Sequence, residues 1–125
     1  MPNIIWIYLI SNMATTAIRA AVGKVAPFFK AQAWNCPQKS FQELNLHDFK
    51  NKYMLLFFYP LDFTFVCPTE IIEFSNKAKL FREVGCEVVG CSIDSHFSHM
   101  EYTKKSRSDG GLGDIDIPLL ADTKK

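Results

Sequence analysis

Strand-like and helix-like stretches alternate along the chain, which predicts an α/β fold. Three segments carry that prediction. Tyr53–Tyr59 (Tyr-Met-Leu-Leu-Phe-Phe-Tyr) has the length and aromatic content of a buried strand. Ile71, Phe74, Ala78 and Phe81 recur three or four apart, the period of one helix face. Cys86–Ser92 is strand-like again, with Val89, Cys91 and Ile93 in alternation.

In chain order, a small hairpin precedes Leu44–Lys50, a turn-rich stretch or short helix. Strand Tyr53–Tyr59 follows, then helix Pro68–Val84, which Gly85 ends. Strand Cys86–Ser92, helix Phe97–Ser106 and a short strand Ile117–Leu120 complete the pattern. With 125 residues, 48% of them hydrophobic, the chain suits one domain with its own core. Four of its 11 phenylalanines fall between Phe57 and Phe65, so the segment after the first long strand is expected to be rooted in aromatic packing.

Charge excludes several functions. The 14 basic and 13 acidic residues leave a net charge of +1, which offers no footprint for nucleic acid or an anionic membrane. The pairs Lys104–Lys105 and Lys124–Lys125 read as solvated charge. The apolar run Ile4–Ile10 is far short of the roughly 20 residues that span a bilayer. It has neither a preceding basic region nor a small-residue cleavage site, so it makes a poor signal peptide. No Asp or Glu precedes Glu43, a trait of mitochondrial transit peptides, but positive charge there is sparse. Residues 1–22 read as a leader or extended N-terminus ahead of a domain over 23–125. The expected location is the cytoplasm, with the mitochondrion as the alternative.

The chemistry concentrates in Pro60–Glu70, Pro-Leu-Asp-Phe-Thr-Phe-Val-Cys-Pro-Thr-Glu, at a strand-to-helix junction. Proline is favoured at the first helical position, where no N–H donor is needed, so Pro68 marks the helix start and Cys67 its N-cap. A thiolate there faces the positive end of the helix dipole, and the thiolate is the reactive form of cysteine. The dipole contributes only about 0.3–1 kcal/mol at an exposed site, too little alone to bring a thiol of pKa about 8.5 to a fast nucleophile at neutral pH. A cation is needed as well. The bland alternative for Cys67 is a buried, inert helix-start cysteine.

The pattern Pro60-x-x-x-Thr64-x-x-Cys67 resembles the active site of the peroxiredoxins, and Phe-Thr-Phe-Val-Cys-Pro-Thr-Glu resembles their typical two-cysteine group. Gly23-Lys24-x-Ala26-Pro27-x-Phe29, Asp94-Ser95-His96-Phe97, Gly110-Gly111-Leu112-Gly113 and Ile117-Pro118-Leu119 resemble further family segments in the family's order. The resemblance implies a thioredoxin-like fold, of which residues 23–125 would be the N-terminal portion, lacking the C-terminal strands and helix. It implies Cys67 as the peroxidatic cysteine, which becomes a sulfenic acid. Thr64 would bond both sulfur and peroxide, and Pro60 would close the pocket over the sulfur. Pro68 and Glu70 would support the site, Glu70 by holding the family's arginine.

No arginine of this chain, whether Arg19, Arg82 or Arg107, matches the family's active-site arginine, and no cysteine matches its resolving one. These departures suggest a C-terminally truncated chain with slow turnover. They also suggest an open edge on strand Tyr53–Tyr59 and an uncovered sheet face. The implied activity is reduction of hydrogen peroxide and organic hydroperoxides with thioredoxin as reductant, in a homodimer or larger ring, without cofactor or metal. The rival readings are a weakly active form that associates with full-length subunits or acts as a holdase, and a structural thioredoxin-like module.

Four cysteines are too sparse for a disulfide scaffold and ordinary for a reduced intracellular protein. Cys91 and Cys86 read as structural thiols, and Cys36, in Trp-Asn-Cys-Pro, as an accessible one. Cys91, His96 and His99 have a spacing a metal site could use but no fourth ligand nearby. Gly110–Gly113 reads as a flexible surface turn rather than a phosphate loop, because Asp109, Asp114 and Asp116 flank it. Its likeness to the family segment hints at susceptibility to over-oxidation.

Overall fold

A computed structural model of the chain describes residues 5–6, 19–64 and 68–124. The strands are β1 (Ile5–Trp6), β2 (Lys30–Asn35), β3 (Ser40–Asn45), β4 (Tyr53–Phe58), β5 (Cys86–Ser92) and β6 (Pro118–Ala121), and the helices are α1 (Pro68–Glu83) and α2 (His96–Lys104). They form one sheet in the order β1-β4-β5-β6-β2-β3. Strands β1, β4, β5 and β6 run parallel, while the β2–β3 hairpin is antiparallel to β6.

Each boundary has a local cause. The hairpin turns at Cys36–Lys39, where the Gln38 amide donates to Asn35 Oδ1 and Lys39 takes a left-handed φ of 50°. A 3-10 turn over Leu46–Phe49 starts with a capping box: the Asn45 amide donates to Asp48 Oδ2 and the His47 amide to Asn45 Oδ1, both at 2.8 Å. The chain leaves β4 where Pro60 has no N–H to offer, just after the Tyr59 amide reaches Cys91 O at 3.0 Å. Gly85, at φ 76°, closes α1 with its amide on Arg82 O. Helix α2 begins one residue earlier than the expected Phe97, because the Ser95 hydroxyl accepts from the Ser98 amide. It ends at Lys104 rather than Ser106, since Lys105 turns extended.

The two faces of the sheet bury separate clusters. On one, Leu55 and Phe57 of β4, Val88 of β5 and Leu119 of β6 pack with Ile71 and Ala78 of α1 and Tyr102 of α2. Phe57 stacks on Phe74 with ring centroids 4.4 Å apart, worth about 0.5–1.5 kcal/mol beyond its burial. On the other face, Met54, Leu56, Val89 and Leu120 pack with Phe49, and Phe29, Leu44 and Leu46 close over them.

Two expectations need correction. Strand β4 is not an open edge: Ile5 pairs with Leu55 and Trp6 with Leu56, so a piece of the N-terminal segment lies along it. Nor is the second face uncovered, since Met54 and Val89 are fully buried. Among the described residues, no helix is long and apolar enough to cross a membrane.

Candidate functional site at the loop between β4 and α1

Cys67 lies outside the described residues, as do Phe65 and Val66. The loop on either side of it is described, and its middle is tied down. The Asp62 carboxylate is buried and accepts from three groups at 2.8 Å each: Tyr59 Oη, Ser98 Oγ and His99 Nδ1. Its amide donates to Asp94 Oδ2 at 2.7 Å. His99, also buried, places Nε2 2.8 Å from Leu120 O. Both of its ring nitrogens therefore face oxygen acceptors. Burial beside this carboxylate raises the Tyr59 phenol well above its ordinary value, so it stays a donor.

Next to this anchor, Phe63 holds a φ of 60°. A bulky side chain rarely takes that conformation unless its surroundings impose it. Here Asp62 fixes one side, and the Phe63 ring packs on Tyr102 with centroids 4.7 Å apart.

Thr64 and Pro68, which bracket Cys67 in sequence, both line a cleft of about 450 Å³. The Thr64 hydroxyl donates to Leu61 O at 3.1 Å, which closes the turn. Pro68 is the first residue of α1, as its sequence position suggested. Pro60 is exposed and does not line this cleft, and Glu70 opens instead on an apolar groove with Phe57, Phe58, Phe74 and Phe81. The far wall of the cleft is the loop after α2, which brings Lys105, Arg107, Asp109, Gly110 and Gly111 opposite Thr64 and Pro68.

That wall is not the flexible turn expected of Gly110–Gly113. The Gly111 amide donates to Ser106 O, Leu112 to Tyr102 O and Gly113 to Lys105 O, at 2.8–2.9 Å. Gly111 and Leu112 are buried, and a Cβ at Gly111 would lie 2.1 Å from Lys105 O. Only glycine allows this close approach. Lys105 sits with its Nζ 6.0 Å from the centre of the Phe63 ring.

The other cysteines are poor nucleophiles. Cys36, expected to be accessible, is buried under the hairpin turn, and burial pushes its thiol up to about 12. Burial, with Asp122 nearby, does the same to Cys91, and Cys86 is raised by burial too. Cys91, His96 and His99 do not converge. Cys91 lies in the second-face core, His96 packs on Phe41 and Phe97, and His99 is committed to Asp62.

Sequence reasoning missed the Asp62–His99 pair and the charged wall. An acidic residue inside an apolar run, as Asp62 is in Tyr59–Val66, was the available signal for the first.

The AhpC/TSA family model matches residues 22–125. Peroxiredoxin-2 of Macaca fascicularis is 57% identical over 106 residues, covering 85% of this chain and 52% of that protein. The reduced 2-Cys peroxiredoxin of Plasmodium vivax superposes with a TM-score of 0.81 at 48% identity, over 86% of this chain and 55% of the other. Thioredoxin peroxidase I of Plasmodium yoelii gives 0.76 at 48% identity, over 80% and 57%. The chain spans about half the length of the curated relatives it matches. Its fold is thus the thioredoxin-like fold of the peroxiredoxins, and the chain belongs to the AhpC/TSA family.

Proposed function

We propose that the chain works as a thiol peroxidase, with Cys67 as the nucleophile toward hydrogen peroxide and organic hydroperoxides. The thiolate attacks one peroxide oxygen, the S–O bond forms as the O–O bond breaks, and the second oxygen leaves as hydroxide or alkoxide and takes a proton from water. Sulfur is left as a sulfenic acid, which a second thiol converts to a disulfide with release of water. A dithiol reductant of the thioredoxin class then restores both thiols by exchange. The name thioredoxin peroxidase on the Plasmodium yoelii relative favours thioredoxin over other dithiols. Association into a dimer or larger ring and a cytoplasmic location complete the reading.

The observation that carries it is the contrast among the thiols. Cys36, Cys86 and Cys91 are buried and raised, whereas the residues flanking Cys67 open on a cleft with cationic groups. Thr64 and Pro68, which bracket Cys67 in sequence, line that cleft. Pro60 and Glu70 act at one remove, Pro60 by ending β4 and Glu70 from the first turn of α1.

Peroxide consumption coupled to a thioredoxin system tests the reading, beside sulfenate trapping mapped by mass spectrometry. Cys67 is expected to carry the trap, and Cys67→Ser to abolish consumption. Trapping chiefly at Cys36, Cys86 or Cys91, or turnover surviving in Cys67→Ser, would overturn it.

A further inference from the structure

The cleft of about 450 Å³ between the start of α1 and the loop after α2 has two unlike walls. One is apolar, made of Phe63, Pro68 and Ile72. The Phe63 ring is 44% exposed even though it packs on Tyr102, so it offers a hydrocarbon face to the cleft. The other wall carries Lys105 and Arg107. Lys39 pairs with Asp114, Arg82 with Asp116 and Lys104 with Glu101, but Lys105 and Arg107 have no carboxylate at ion-pair distance among the described residues. Arg107 Nε donates to Leu112 O at 3.0 Å, which fixes the stem and leaves the two terminal nitrogens for another acceptor. The main-chain bonds of the loop hold this wall in place, and a side chain at Gly111 would run into Lys105 O. Asp109 is the one acid on the described lining, and its carboxylate accepts from Ser106 Oγ at 2.5 Å.

We propose that this cleft binds a small amphiphilic carboxylate, with its head on Lys105 and Arg107 and its hydrocarbon body on Phe63, Pro68 and Ile72. The volume lies in the range of small-molecule sites, well beyond what an inorganic ion fills, so the ligand must bring an apolar body for the apolar wall. The planar fork of a guanidinium matches a carboxylate in shape. The charge of the head follows from the lining as well. Two cations set against Asp109 leave one net positive charge, which suits a monoanion and repels a phosphate near −2. The proposal makes no use of the peroxidase reading, and binding reports on it without turnover.

Isothermal titration calorimetry of the full chain with octanoate, kept below micelle-forming concentrations, tests this. Saturable binding at one site is expected, weakened by salt. Octanol lacks the charge and acetate lacks the body, so both should bind at least about tenfold more weakly, and each methylene from butanoate to octanoate should tighten binding by up to about fourfold. Lys105→Gln and Arg107→Gln should each weaken octanoate by about twofold to fivefold, the size of one exposed charge pair, while Lys105→Arg keeps the affinity. Asp109→Asn should strengthen it, a gain that unfolding cannot produce. No saturable binding at millimolar octanoate, octanol or phosphate binding as tightly as octanoate, or an affinity indifferent to these substitutions would overturn the proposal and leave the peroxidase reading untouched.

Discussion

His99→Leu removes the imidazole from the network that fixes the loop before Cys67, and its cost follows from the geometry. The side chain is fully buried and makes two short contacts, to the Asp62 carboxylate and to Leu120 O, each at 2.8 Å. Removing a hydrogen-bond partner so that a buried polar group is left unsatisfied typically costs about 1–3 kcal/mol for each group stranded. Here Tyr59 and Ser98 still donate to Asp62, but Leu120 O is stranded as well, so the loss is about 3 kcal/mol. For a domain of this size about 1 kcal/mol moves Tm by roughly 4 °C, so the midpoint should fall by about 12 °C. Thermal unfolding followed by circular dichroism, with urea titration to check that m is unchanged, measures this. The double variant Asp62→Asn/His99→Leu should cost clearly less than the sum of the two single changes, with a coupling of about 1–3 kcal/mol. A Tm within about 3 °C of wild type, or strict additivity, would show that the two groups do not act as one unit.

Alkali should destabilise the fold through its buried thiols. Cys36 and Cys91 are raised to about 12, so stability is complete while the thiols of the unfolded chain stay protonated. It is lost as pH climbs from about 9 toward 12, at about 1.4 kcal/mol per pH unit for each thiol; urea midpoints at pH 8 and 10 should converge in Cys36→Ala/Cys91→Ala. Gly111→Ala forces a methyl group against the Lys105 carbonyl and should cost about 1–3 kcal/mol, read as a lower Tm, while Gly113→Ala, whose Cβ would meet only the Arg107 side chain at an ordinary 3.6 Å, should suffer chiefly the strain of its φ of 66°. Deleting residues 1–22 takes β1 from β4 and leaves a flat ribbon of Tyr-Met-Leu-Leu-Phe-Phe without charge, so sedimentation at micromolar concentration should show association that the whole chain does not. An unchanged monomer on deletion would mean that β1 does not protect the edge.

The elements with a strong period were legible in the sequence. Strand β5 falls on its expected residues, and α1 and β4 each end one residue short of expectation. Strand β1 was not legible, because two residues are too few to carry a period. The contact of Asp62 with His99 spans 37 positions and needs the whole sheet to place it. The charged wall was harder still. Lys105 and Arg107 look like any solvated basic residues, and what turns them toward Thr64 is a set of main-chain bonds with no side-chain signature beyond the glycines.

The described parts of the loop on either side of Cys67 are thus both tied to the fold. The loop's N-terminal side leaves β4 in register with β5, its middle is bonded through Asp62 to α2, and its C-terminal side is already the first turn of α1. Phe63 is the sign that these restraints compete, since its φ of 60° costs of order 1–3 kcal/mol unless offset elsewhere. The offset comes from the packing of its ring on Tyr102 and from the buried bonds of Asp62, the residue before it.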